Sequence, residues 1–224
     1  MKAVTALAGS VATVSLLLTA CATESQRVIE TPRPAVASAK YTGPKSTIAV
    51  GKFANSSPFM RGIFTDGQNR LGNQAKTILK THLSRSNRFF VMDRSNTAQL
   101  ANESKLAGRA SAIEGAQLII TGDVTEFGRK ATGDKQLFGL IGRGKKQIAY
   151  SKVSLNVVDV QTSRIVYSAQ GAGEYELSNR EILGTGGTAS YDATLNGKVL
   201  DLSIRQAVSN LVAGLESGDW QAAR

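Results

Sequence analysis

The sequence predicts an α/β (α+β) fold, a mixed sheet covered by helices, on three observations. Strand-like runs of β-branched and aromatic residues alternate with stretches whose apolar residues recur at helical spacing. A pair of apolar segments separated only by Gln161-Thr162-Ser163 then reads as an antiparallel hairpin. A strong helical stripe near the C-terminus closes the pattern, the element order of a sheet with helices laid on it.

The first strand is STIAVGKF, Ser46 to Phe53, with Ile48 and Val50 supplying strand composition. The segment Ala54 to Gly67 follows it and mixes turn formers with the apolar residues Phe59, Met60, Ile63 and Phe64 in no regular period. It reads as a loop, either functional or folded back onto the core through its aromatics. Leu71, Ala75, Ile78, Leu79 and Leu83 then recur at helical spacing and predict an amphipathic helix from Asp66 to about Ser84. Its apolar face covers about a third of the circumference, as packing on a sheet requires. RFFVMD, Arg88 to Asp93, is a short strand, and Asp93 or Ser95 caps a second helix through Leu100 and Leu106. A short helix from Ala110 to Gly115 leads into a run from Leu118 to Val124 that is continuous rather than alternating, the pattern of a strand covered on both faces. Lys152 to Val160 and Arg164 to Ala169 form the hairpin. Leu200, Ile204, Ala207, Val208, Leu211, Val212 and Leu215 define the last helix, from about Val199 to Glu216.

Two segments interrupt this scheme. One runs from Phe127 to Tyr150 and the other from Gly171 to Asn196, each leaving a strand end and returning to the start of a strand or helix. The fold is therefore expected to span residues 45–218 with insertions at 127–150 and 171–196, followed by a tail at 219–224.

The N-terminus belongs to a different class of sequence. Lys2 precedes an uncharged Ala-, Val- and Leu-rich stretch ending at Ala20, the layout of a secretory leader. Gly9, Ser10, Thr13, Ser15 and Thr19 dilute it too far for a good membrane span. Leu18-Thr19-Ala20-Cys21 resembles the bacterial lipobox, in which the cysteine thiol takes a diacylglycerol. Cys21 is the only cysteine, so it forms no internal disulfide, and thioether formation would remove a thiol that is a liability in an oxidising compartment. Two or three acyl chains, palmitate among them, anchor a protein stably where one does so marginally. Ala22 and Thr23 follow the cysteine where an inner-membrane lipoprotein of the enterobacterial pattern has aspartate, which favours the periplasmic face of the outer membrane. Residues 21–44, with three of the four prolines, read as a lipidated tether.

Loss of the leader takes the chain from 224 to 204 residues and the formal charge from +10 to +9. That charge fits anionic headgroups or acidic envelope polymers; nucleic acid is disfavoured by the secretion signal and by the lack of interleaved stacking aromatics. Catalysis has little to draw on. His82 is the only histidine and lies on the first helix, expected at its surface or boundary, so zinc chemistry and Ser-His-Asp catalysis lack their ligands and base. Gly139 to Lys146 lacks the spacing of a phosphate loop, and Gly184 to Thr188 matches no nucleotide fingerprint. Asp123, Glu126 and Asp159 are scattered along strands and no spacing pairs them. No enzyme activity, metal or diffusible cofactor is expected; the covalent lipid on Cys21 is the one attached group.

The lipobox, RFFVMDRSNTAQLANE at 88–103, IITGDVTEFG at 119–128 and KVSLNVVDVQTSRIVYSAQGAG at 152–173 resemble, in order and spacing, the CsgG/HfaB family of curli-secretion and adhesin-assembly lipoproteins. The resemblance covers roughly Thr47 to Leu215. It implies a periplasmic domain that assembles into a homo-oligomeric ring, with two inserted segments per subunit opening as β-hairpins into a shared outer-membrane barrel. Curli-like fibre or adhesin subunits would pass through it, with accessory periplasmic proteins as further partners. The loop after the first strand would form the constriction, with Phe59 and Phe64 the nearest aromatics. In the second insertion Ala189, Tyr191, Ala193 and Leu195 alternate with polar residues, and Tyr175 and Leu177 begin the opposite arm, as a membrane hairpin requires. The first insertion carries charge in both parities. The alternative reading is a lipoprotein interaction module that binds a cell-wall synthase or peptidoglycan and forms no pore.

Overall fold

The computed structural model describes residues 41–59, 69–135, 143–180 and 194–221, the backbone alone over 131–135, 143–147 and 177–180. Its elements are β1 (Ser46–Asn55), α1 (Arg70–Arg85), β2 (Phe89–Met92), α2 (Thr97–Leu106), β3 (Leu118–Lys135), β4 (Arg143–Asp159), β5 (Ile165–Arg180) and α3 (Leu195–Ser217). The strands form one mixed sheet in the order β2-β1-β3-β4-β5. β1 runs parallel to both β2 and β3, while β4 and β5 are antiparallel to their neighbours.

Helical periodicity decides what α1 and α3 bury. Leu71, Ala75, Leu79 and Leu83 of α1, and Val199, Leu200, Ile204, Ala207, Val208, Leu211 and Val212 of α3, pack with one side of the sheet. That side is Ile48, Val50 and Phe53 on β1, Leu118, Ile120, Val124 and Phe127 on β3, and Ala149, Val153, Leu155 and Val157 on β4. Among the described residues strand alternation leaves the other side without helix cover, and there the expectation that Leu118 to Val124 is covered on both faces is corrected. Leu118, Ile120 and Val124 are buried, whereas Ile119, Thr121 and Asp123 between them are only half-buried. The run is continuous in sequence because Ile119 lies between Ala49 and Val158 in the sheet, not because a helix lies over it.

Close helix packing on β5 depends on two glycines. A Cβ at Gly171 would stand 2.1 Å from the Ser203 carbonyl oxygen, and one at Gly173 would stand 2.7 Å from the Leu202 Cβ. Without those side chains the α3 backbone comes down onto the strand, and the Ser203 and Ser151 hydroxyls meet at 2.9 Å across the contact.

The ends follow local chemistry. Asn69 caps α1 by accepting the Gly72 N–H at 3.0 Å, so the helix begins after the expected Asp66, which lies outside the described residues. Asn96 stands at the N-cap of α2 without a side-chain bond; Asp93 instead accepts from the Ser95 N–H and the Asn96 amide. Residues 110–115 form no helix, contrary to expectation. α3 begins at Leu195, earlier than the expected Val199, and ends at Gly218 in the left-handed region, where the Asp219 N–H reaches the Gly214 carbonyl at 2.9 Å. The turn after β4 closes on Asp159, whose carboxylate accepts from both the hydroxyl and the N–H of Thr162 and is held below the usual carboxylate range by those bonds.

Candidate functional site: a ribbon extending from the sheet

The two interruptions seen in the sequence are continuations of core strands. β3, β4 and β5 are 18, 17 and 16 residues long, well beyond the usual strand of five or six. On the helix side, the last row with buried members among the residues whose side chains are described is Arg129–Ala149–Tyr175. Ala149 belongs to the core, as does Phe127 in the row before, Tyr175 packs against it, and the Lys198 ammonium lies 5.2 Å from the Tyr175 ring centroid. Beyond that row the ladder continues through six registered pairs, from Lys130 opposite Ile148 to Lys135 opposite Arg143. β5 accompanies it from Glu176 to Arg180. Antiparallel pairing has simply outrun the helices.

Register sorts the ribbon's residues by face, because successive rows alternate. One set of rows holds Lys130, Ile148 and Glu176, then Thr132, Lys146 and Ser178, then Asp134, Gly144 and Arg180. The alternate set holds Ala131, Gln147 and Leu177, then Gly133, Lys145 and Asn179, then Lys135 and Arg143. Charge falls in both sets, with Lys145 the sole charged residue in the first two rows of the second.

The expected site residues separate under the structure. Tyr175 and Leu177 lie on β5 in the parity that the helix-covered face continues, Leu177 opposite Gln147. Leu195 is corrected: it is the first residue of α3 and fully buried, so helix packing, not a strand parity, decides where it points. Ala189, Tyr191, Ala193, Phe64 and Cys21 lie outside the described residues. Phe59, the other residue expected at a constriction, lies half-buried in the turn after β1. Its ring packs on Phe127 at 4.5 Å between centroids, and its carbonyl accepts from the Asn55 amide at 3.0 Å. Two further bonds fasten this turn to β3, with the Ser56 and Ser57 N–H groups both donating to the Val124 carbonyl at 3.0 Å.

His82 is not a surface residue. It is 1% exposed, and its Nε2 meets an Asp201 oxygen at 2.7 Å, linking α1 to α3. Its place after Ala75 and Leu79 on the apolar stripe is the signal that sequence reasoning passed over. A second buried link was missed altogether. Arg88, 2% exposed, donates from Nε and Nη2 to Glu216 at 2.7 and 2.6 Å and from Nη1 to the Ser86 carbonyl at 3.0 Å, beneath the Tyr41 ring.

Neither link has the shape of a reaction centre. The surface groove between α1 and β2, about 500 Å³ and lined by Lys80, Thr81, Ser84, Arg85, Val91, Met92 and Asp93, contains a single carboxylate. That carboxylate is held at a pKa of about 2, first by the Ser95 N–H, then by the Asn96 amide and Lys80. Among the described residues no cluster of three or more His, Cys, Asp or Glu is placed to hold a metal, and no helix is long and apolar enough to cross a membrane. The latter says nothing of strands.

Comparison with known proteins adds family and fold. A protein of Neisseria meningitidis serogroup B that carries the name lipoprotein NMB1126/NMB1164 is 58% identical over 213 residues, 95% of this chain and 96% of its own length. Among solved structures, the PelC dodecamer from Paraburkholderia phytofirmans is 16% identical, covering 75% of this chain and 87% of its own at a TM-score of 0.38. Lipoprotein GNA1162 from Neisseria meningitidis is 18% identical, covering 75% and 99% at 0.35. Likenesses at this level carry no argument about function or assembly. The family described as "Curli production assembly/transport component CsgG" matches residues 31–223, and with that match the chain belongs to the CsgG family.

Proposed function

We propose that the chain is a lipid-anchored subunit of an outer-membrane ring that secretes or anchors curli-like fibre or adhesin subunits. It works by binding and assembly, without chemistry on its cargo. The observation that carries this reading is the β3–β4–β5 ribbon, whose strands continue past the helix-covered core. A membrane strand needs about 9–11 residues, and the described ribbon supplies residues 130–135 on β3 and 143–148 on β4 toward its two arms. Membership of the CsgG family supports the same reading. Cys21, acylated, would hold the subunit at the periplasmic face of the outer membrane, and the tether would give it reach.

In this arrangement the parity of Ala131, Gly133 and Leu177 faces lipid, and the more highly charged parity of Lys130, Asp134, Lys146 and Arg180 faces the aqueous lumen. Lys145, Lys135 and Arg143 share the lipid-facing parity and are then the misfits, since a lipid-facing lysine or arginine at mid-bilayer costs about 2–4 kcal/mol. Those residues favour a second reading, in which the ribbon stays in the periplasm and its basic residues bind an anionic cell-wall polymer or a cell-wall synthase.

Detergent extraction followed by particle imaging and single-channel recording separates the two. A ring with a conducting pore supports the first; a compact particle without conductance overturns it. Cys21→Ser should release the protein from the membrane fraction under either reading. Charged substitutions at Tyr191 and Ala193 should abolish membrane insertion and conductance only if the second hairpin spans.

A further inference from the structure

The helix-free face of the sheet is not uniform. Along its middle it is polar, with Asn156 and Ser168 hydrogen-bonded at 2.7 Å and, closer to the ribbon, Lys152 paired with Glu126. At the opposite end it turns apolar across the full width of the sheet. One transverse row reads Met92, Ala49, Ile119, Val158, and a register irregularity after Val157–Tyr167 sets Ile165 of β5 opposite Val158. The adjacent row on the same face reads Phe90, Thr47, Gln117, Val160, joined by strand register and by two backbone bonds of 2.9 and 3.1 Å. Its polar members satisfy each other, the Gln117 N–H reaching the Thr47 carbonyl and the Gln117 side chain the Thr47 N–H.

Phe90, Val160 and Ile165 stay 54, 44 and 60% exposed on these rows. A second unpartnered surface belongs to α2 and the loop after it. No residue of α2 is buried, and Leu100, Leu106 and Ile113 are 50, 82 and 56% exposed. Counting about 150–200 Å² for a fully exposed side chain of this size, the three sheet residues offer about 240–320 Å² and the three residues of α2 and its loop about 280–380 Å². A standard interface buries about 800 Å² per partner, a little over half of it apolar, so each surface supplies more than half of the apolar area that one side of a stable contact needs.

We infer that these two surfaces are halves of one subunit interface: α2 and its following loop, from Thr97 to Ile113, dock on the apolar sheet rows of a second copy of this chain. Dimensions agree. Five strands at about 4.8 Å give a strip roughly 20 Å wide, and two same-face rows make it about 10 Å deep. A ten-residue helix is about 15 Å long and 10 Å across. Two different surfaces of one chain make a head-to-tail contact, which closes into a ring when the rotation permits. The inference rests on the ring reading above and adds which surface builds the ring.

Two measurements on the full-length lipoprotein in detergent test it. Light scattering should show the wild type as an oligomer and the Phe90→Glu/Ile165→Glu variant as a monomer with an unchanged circular dichroism spectrum. Ser168→Glu, on the polar part of the same face, should leave assembly intact. Co-expressing Ile165→Cys with Leu106→Cys, in a chain whose own cysteine is expected to be acylated, should give a disulfide-linked dimer that neither variant gives alone. An oligomer that survives the double glutamate substitution and fails to cross-link overturns this interface and leaves the ring reading standing. A monomeric wild type overturns both. Dissociation by Ser168→Glu as well overturns the assignment to the apolar rows.

Discussion

Arg88 and Glu216 tie the start of β2 to the last turn of α3, and separating them should be among the costliest single changes in the domain. Arg88 is 2% exposed, with its guanidinium satisfied by the Glu216 carboxylate and the Ser86 carbonyl and covered by Tyr41 at 4.5 Å. Glu216→Ala removes the carboxylate that accepts from two of the guanidinium nitrogens while the charge stays in that site. Breaking a buried pair from one side costs about 3–5 kcal/mol. Glu216 is itself 37% exposed, which lets water reach the space it leaves and brings the expected loss to about 2–3 kcal/mol. Arg88→Met removes the charge together with its partner's task and fills similar volume, so it should cost less than Glu216→Ala. Urea unfolding of the lipid-free mature chain carrying Cys21→Ser, at one fixed protein concentration, measures this. With a slope of about 2 kcal/mol per molar, the midpoint should fall by about 1 M for Glu216→Ala. A shift below about 0.2 M, or a larger loss for Arg88→Met, would refute the account of Arg88 as a buried charge held by its partner.

Gly171→Val should destabilise by about 1–3 kcal/mol, since its side chain would enter the space between β5 and the Ser203 carbonyl of α3; Ala172→Val, one residue along on the uncovered face, should shift the same urea midpoint little. Asp93 gives a pH signature. Its pKa is lowered from 3.8 to about 2, so the carboxylate adds stability above pH 4 that is lost as pH falls from about 4 to 2. Wild type should therefore exceed Asp93→Asn in stability by a constant margin above about pH 5, with the margin closing through that window; a margin that persists at pH 2 would assign the effect to something other than ionisation.

Much of the fold was legible because it is written in periodicity. α1 and α3 are strong stripes, and β1, β2 and the β4–β5 hairpin follow from β-branched runs and one turn. What escaped has identifiable causes. Strand length was underestimated because charge and glycine in the ribbon resemble loop composition, whereas antiparallel pairing needs only a partner at each position. Phe59 resisted reading because a loop aromatic serves a lumen or a core equally well until Phe127 is seen beneath it. His82 and Arg88 escaped because their partners, Asp201 and Glu216, lie 119 and 128 residues away. The stripe of α1 signals that His82 is buried, but no local pattern names either partner. The uncovered face escaped for the opposite reason: an apolar row such as Met92–Ala49–Ile119–Val158–Ile165 takes one residue from each strand and looks, along any one strand, like ordinary core.

Edge pairing connects the ribbon to assembly. β5 is the last strand of the sheet among the described residues, and its outer edge runs 16 residues. In water such an edge is tolerable. In hydrocarbon every unpaired N–H and C=O costs several kcal/mol, which is why open sheet edges do not occur in lipid and barrels are closed. A single ribbon with free edges therefore cannot enter the bilayer alone, and insertion requires neighbouring ribbons to close the circle. Under the ring reading, membrane insertion and oligomerisation become one event. The Phe90→Glu/Ile165→Glu variant, altered far along the strands from the ribbon, should then fail to insert although its ribbon sequence is untouched. Protease protection of the ribbon in reconstituted vesicles measures this directly. Protection in a variant shown to be monomeric would refute the coupling.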